Sequence, residues 1–313
     1  KSYLIEGNTK KLKINIFDKY QLENIKFQFS INNQVYSLQN IYGKINNIDI
    51  ENGKIKIDNS TNLNINGTAV TNFNLDQNQI KKLLAGNINS NLLENDIKIN
   101  SKLKNTFNIS FDKKFKIQDY TLSIEGISKK SNIFFTNPFD IQFIEKEIKQ
   151  ISFKDIKISF LKSFKKENIL KLDGVYNIND GNFKKFSFKN IFNKNISKYN
   201  FNIKISEIIN IQFLNYFKDT SKDANLGINF SILNDKLNVK QLKFTEDKNL
   251  ININNLILDK KFNLFSFKDI IIKTFNKDIK NNDFKVSSGK KIIVSGEVFD
   301  ASKLGKLLNN TSK

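Results

Sequence analysis

The stretch Phe107–Ile124 reads FNISFDKKFKIQDYTLSI. Its apolar residues are Phe107, Ile109 and Phe111, then Phe115 and Ile117, then Tyr120, Leu122 and Ile124, with Asn, Ser, Lys, Gln and Thr between them. Period two is the side-chain repeat of a β-strand, so the stretch predicts strands with one apolar face. Asp112-Lys113-Lys114 and Gln118-Asp119 interrupt the pattern and read as turns. The same alternation recurs in Leu12/Ile14/Ile16, Ile25/Phe27/Phe29/Ile31, Phe139/Ile141/Phe143, Ile156/Ile158/Phe160, Phe201/Ile203/Ile205, Leu226/Ile228/Phe230/Ile232 and Phe262/Leu264. These segments follow one another at the roughly 8 to 12 residue spacing of a meander. That is too close for the crossover helices of parallel pairing, so the order is antiparallel.

Asn52-Gly53 between Ile48/Ile50 and Ile55/Ile57 predicts a type I′ hairpin, and Asp180-Gly181 repeats the signal. Three short helices are expected. Asp76 to Leu84 has Asp76 as N-cap, Gln79 in a capping-box position and Gly86 just past its end. Ser302 to Leu308 carries Leu304, Leu307 and Leu308 on one side. Ser206 to Lys218 is ambiguous, because Ile209, Phe213 and Phe217 fit a helix while Ile209, Ile211 and Phe213 also alternate. Such helices would plug an end or an edge of the sheet.

Composition narrows the chemistry. The 313 residues include one proline, Pro138, and 12 glycines, with no linker-like run, so residues 1–313 read as one continuous architecture. The lack of methionine, at position 1 and elsewhere, leads us to expect a piece of a longer chain. No apolar run approaches the roughly 18 to 20 residues of a bilayer-spanning helix; the longest are clusters such as Ile270-Ile271-Ile272. Histidine and cysteine are absent. This removes the usual zinc ligands, thiol chemistry and the Ser/His and Cys/His nucleophile systems. No cofactor and no enzymatic activity are expected. The net charge of +20 invites a nucleic-acid reading, but all 51 basic residues are Lys and none is Arg, the residue suited to bidentate base and phosphate contacts. The lysines are scattered in doublets such as Lys10-Lys11, Lys81-Lys82 and Lys184-Lys185. A solvated polar face fits them better than a nucleic-acid footprint.

At about one strand per 12 residues the chain holds roughly 25 strands, whereas open twisted sheets seldom exceed ~10 strands without curling or splitting. A membrane barrel calls for Tyr and Trp girdles; this chain has 29 Phe, 8 Tyr and no Trp. Stacked sandwich domains call for Pro/Gly-rich loops and boundaries. The expected fold is therefore all-β: an elongated, twisted, mostly antiparallel sheet curled into an apolar groove, with two or three short helices. An apolar strip of that size implies a ligand, and acyl chains suit a long featureless groove.

The segment Ile292–Leu304, IIVSGEVFDASKL, followed by Gly305-Lys306-Leu307-Leu308, resembles the strand, glycine, "FDA" and short-helix signature of the AsmA-like envelope proteins, particularly the YhdP/TamB type. Leu63–Leu75, LNINGTAVTNFNL, with its Asp76 helix is similar in form, and Ile211–Phe217, IQFLNYF, is similar to a further family stretch without its Trp and Pro. The resemblance implies a periplasmic β-groove, anchored in the inner membrane by a segment outside this chain, that conducts phospholipid between the inner and outer membranes. On that reading the acyl-chain contacts are Phe27, Phe29, Phe107, Ile109, Phe111, Phe115, Ile117, Phe201, Ile203, Ile228 and Phe230. Each could equally belong to an ordinary core. Glu145 and Glu147 share a strand face and read as solvated rather than as a catalytic pair; Asn108-Ile109-Ser110 is a chance glycosylation match in an Asn-rich chain. Two other readings remain: a structural or adhesive extracellular β protein, a solenoid or stacked sandwiches with a self-sealed core, and an outer-membrane protein assembly factor.

Overall fold

The computed structural model describes residues 3–16, 20–46, 48–84, 96–233, 236–259 and 261–302. The fold is all-β and antiparallel, as the alternation requires. The chain forms two compact units, residues 1–136 with 152–174, and residues 137–151 with 175–313.

In the first unit β1 (Leu4–Ile16), β2 (Tyr20–Asn32), β3 (Val35–Ile45), β4 (Ile48–Asp58), β5 (Asn64–Leu75), β6 (Asp96–Phe111) and β7 (Ile117–Phe139) pair each with the next, a plain meander. Helix α1 (Gln77–Leu84) follows β5. Its capping box is formed: the Gln79 amide donates to Asp76 Oδ1 at 2.9 Å and the Asp76 amide to Gln79 Oε1 at 3.0 Å. Ile80 is buried. The expected Ser302–Leu308 helix falls beyond Ser302 outside the described residues.

Asn52-Gly53 is not a hairpin turn. β4 runs straight through it, with Asn52 at φ 51 and a register shift between Glu51 and Lys54. Asn24 and Asn40 make the same kind of bulge in β2 and β3, at φ 52 and 51. The reason lies in the phase of the pattern. Ile48 and Ile50 alternate on even numbers, Ile55 and Ile57 on odd; one extra residue in the bulge brings both pairs to one face. Regular β5 proves this, since Ile50 pairs with Thr71 and Ile55 with Gly67, both on the same side of β5. Asp112-Lys113-Lys114 is a turn, whereas Gln118-Asp119 lies within β7.

β8 (Ile148–Ser163) and β9 (Asn168–Ile178) pass from one unit to the other. The second unit continues with β10 (Lys184–Phe192), reached by a turn with Asn179 and Asp180 both at positive φ and the Gly181 amide donating to Ile178 O. Then come β11 (Ile196–Ile205), β12 (Ile209–Ile211), β13 (Tyr216–Lys218), β14 (Ala224–Leu233), β15 (Lys236–Glu246), β16 (Asn249–Leu258), β17 (Leu264–Ser266), β18 (Asp269–Asn276), β19 (Ile279–Ser288) and β20 (Ile292–Val298). The main ladder runs β10-β11-β14-β15-β16-β18-β19-β20. Residues 206–218 form no α-helix. β12 and β13 pair as a small hairpin around a 3₁₀ turn at Gln212–Leu214 that Asn215 ends in the left-handed conformation. Two β-branched residues, Ile209 and Ile211, favour the strand.

Candidate apolar binding face

Paired residues of an antiparallel ladder share a face, so the registers assemble rows across the strands. In the first unit one row is Ile5, Ile31, Tyr36, Ile57, Ile65, Ile109 and Tyr120, apolar or aromatic in seven successive strands. The next row on the same face is Gly7, Phe29, Leu38, Ile55, Gly67, Phe107 and Leu122. Between them, on the opposite face, lie Glu6, Ser30, Ser37, Lys56, Asn66, Asn108 and Thr121, all polar. At about 4.8 Å per strand each row is about 29 Å long. The two glycines sit where rings need room. A Cβ on Gly67 would stand 2.3 Å from Phe107 Cζ, and one on Gly7 would stand 2.5 Å from Phe29 Cζ, so both rings lie across the neighbouring strand.

The second unit repeats this over eight strands. One row is Phe186, Ile203, Leu226, Phe244, Ile251, Ile272, Phe284 and Gly296; the next is Phe188, Phe201, Ile228, Leu242, Ile253, Ile270, Val286 and Val294. Phe230 extends the face, its ring stacked on Tyr199 with centroids 4.6 Å apart. The opposite face carries an amide ladder: Asn202 donates to Asn200, Asn200 to Asn229, Gln241 to Asn252 and Asn254 to Asp269.

The two rows of the second unit are covered differently. The β12–β13 hairpin folds over the first: Leu214 and Tyr216, each 1 % exposed, form a core with Ile205, Ile209, Ala224, Phe244 and Ile272, against which Ile203, Leu226, Ile251 and Phe284 of the first row pack, with Ile270 of the second at its margin. Buried polar groups clamp this plug. Asn282 donates to Leu214 O at 2.7 Å and to Thr274 Oγ1 at 2.8 Å, and Asn281 donates to the carbonyls of Leu214 and Asn215. Asn215 donates to Asp300 Oδ2, and the Asp300 amide donates to Asn282 Oδ1. The Tyr216 hydroxyl donates to Glu246 Oε2, which also accepts from Asn249. Lys218, 2 % exposed, donates to the carbonyls of Glu207 and Asp219. Burial pushes its ammonium down against the pull of the Glu207, Asp223, Glu246 and Asp219 carboxylates. Burial, with Glu246 beside it, holds the Tyr216 phenol well above the usual range. Hydrogen bonds from Ser302 and Asn215 hold Asp300 well below the usual carboxylate range. The Ile211–Phe217 and Phe299–Ser302 stretches, read separately in the sequence, thus form one cluster.

Of the residues read as acyl contacts, Phe29, Phe107 and Ile109 lie in the rows of the first unit, and Phe201, Ile203 and Ile228 in those of the second; all are half-buried. Phe27 packs edge-on against Phe29, with centroids 6.5 Å apart. Phe111 pairs with Ile117 where β6 meets β7. Phe115 stands apart, in the β6–β7 turn at φ 58 and 72 % exposed. Glu145 and Glu147 lie in the loop before β8, exposed and off any strand face. Row members such as Leu38, Ile55, Ile65, Leu242, Ile253 and Val286 were not singled out, since alternation names the face of a strand but not its partner. Among the described residues no group of three or more His, Cys, Asp or Glu could hold a metal ion, and no helix is long and apolar enough to cross a membrane. Comparison with models of known families, with curated proteins and with solved structures finds no match.

Proposed function

We propose that each unit holds phospholipid acyl chains along its apolar rows, and that the chain is a periplasmic segment of an AsmA-like conduit between the inner and outer membranes. The observation that carries the reading is the row itself. Seven or eight successive strands present apolar side chains at one level, and those outside the plug are half-exposed. Leaving so much apolar surface open to water is costly, at roughly 25 cal/mol per Å², and acyl chains remove that cost without polar contacts. No nucleotide site or catalytic constellation enters the proposal: lipid moves passively, with headgroups at the open side and lysines along the rim favouring anionic ones. The resemblance of Ile292–Leu304 to the family signature supports the envelope setting.

Native mass spectrometry of the purified chain with lipid extraction tests this. Several phospholipids per chain are expected, reduced in number by Phe107→Asp and by Phe201→Asp while circular dichroism stays that of a β protein. A lipid-free, stable monomer would overturn the reading and favour a self-sealed structural protein.

A further inference from the structure

We infer that the β12–β13 plug is a fixed wall that confines acyl chains in the second unit to the part of the second row outside its footprint, Phe188, Phe201, Ile228, Leu242, Ile253, Val286 and Val294, with Ile270 packed against the wall itself; this rests on the lipid reading above. The two rows of that unit have the same chemistry, yet Phe244 and Ile272 in the first are buried under Leu214 and Tyr216 while Phe201 and Ile228 in the second are not. The plug therefore stands where an acyl chain would otherwise lie, and offers the sheet the same kind of apolar contact. Its attachment distinguishes a wall from a lid. Asn281, Asn282, Asp300 and Glu246 hold it through buried and half-buried hydrogen bonds that opening would break, and Thr274 bonds to Asn281 and Asn282 behind it. The backbone shows it to be an insertion as well. Ile205 and Ala224 are direct cross-strand partners, so β11 and β14 would join in a plain hairpin if residues 206–223 were replaced by a two-residue turn. In the meander of the first unit, β1 to β5 follow one another with no such insert among the described residues.

The test uses p-benzoylphenylalanine placed singly at Phe201 and at Phe244 in the full chain, photolysed with vesicles of phosphatidylethanolamine and phosphatidylglycerol. Lipid adduct is expected at 201 and lost at 244. With residues 206–223 replaced by Asn-Gly, adduct appears at 244 as well. Adduct at 244 with the plug in place, or none at 244 in a folded plug-less chain that still reacts at 201, overturns the wall and leaves the lipid reading standing. No adduct at 201 in the intact chain overturns both. The comparison of 201 with 244 in the intact chain is decisive even if the plug-less chain fails to fold.

Discussion

At the scale of single residues, the apolar face depends on where a side chain is missing as much as on where one is present. Gly67 is buried because the Phe107 ring lies over it, and a Cβ there would stand 2.3 and 2.5 Å from Phe107 Cζ and Cε1, with Lys54 O at 3.2 Å. Alanine is ordinarily the better strand residue, since it reduces the entropy of the unfolded chain. Here it must push the ring out of its row. Gly67→Ala is therefore expected to destabilise the first unit by about 1–3 kcal/mol, read as a lower urea midpoint. In a Phe107→Ala background the clash with the ring is gone, and the same substitution should cost little or nothing. Equal costs in the two backgrounds would show that the ring is not what the glycine serves.

At the scale of the element, the bulges carry information that alternation alone conceals. Asn52 at φ 51 absorbs the residue by which Ile48/Ile50 and Ile55/Ile57 are out of phase. Valine tolerates that conformation poorly, at about 1–2 kcal/mol, while glycine adopts it freely. Both substitutions lose the hydrogen bond from the Tyr42 hydroxyl to Asn52. Chemical denaturation should thus show Asn52→Val less stable than Asn52→Gly by about that amount; equal stability would remove the backbone from the account. This site also explains what could be read in advance. Strand identity, antiparallel order and the Asp76/Gln79 cap follow from local chemistry and were legible. Asn-Gly satisfies a type I′ turn and a bulge equally well, and the distinction lay in the phase slip across it, which Leu38 and Ile41 repeat around Asn40. Residues 206–218 were ambiguous because both periods fit; the apolar face of β11, β14, β15 and β18 waiting to be covered decided for a hairpin. The rows themselves required strand registers, which no single segment contains.

At the scale of the whole molecule, the two units share a plan but not a sensitivity to pH. Asp219, Asp223, Asp259, Asp283 and Asp300, all in the second unit, are held below the ordinary carboxylate value by hydrogen bonds and by lysines; the first unit adds Asp58 to this set. A carboxylate depressed on folding contributes stability above its unfolded value, 3.8 here, and loses it as pH falls through the folded value. Tyr176 and Tyr216 act from the other side, also in the second unit. Their phenols are raised by burial, so the stability they contribute is present below the unfolded value of 10.0 and is lost as pH rises above it. The second unit should therefore have the narrower window. The chain has no Trp, so Tyr36→Trp, at a position 40 % exposed in the first unit, and Phe217→Trp, at one 57 % exposed in the second, each supply one reporter. In fluorescence titrations the indole at position 217 should lose its folded signal at a higher pH than the one at position 36 on acidification, and at a lower pH on alkalinisation. Coincident transitions at both ends would mean that the two units unfold as one, and that the plug cluster does not set the limit of stability.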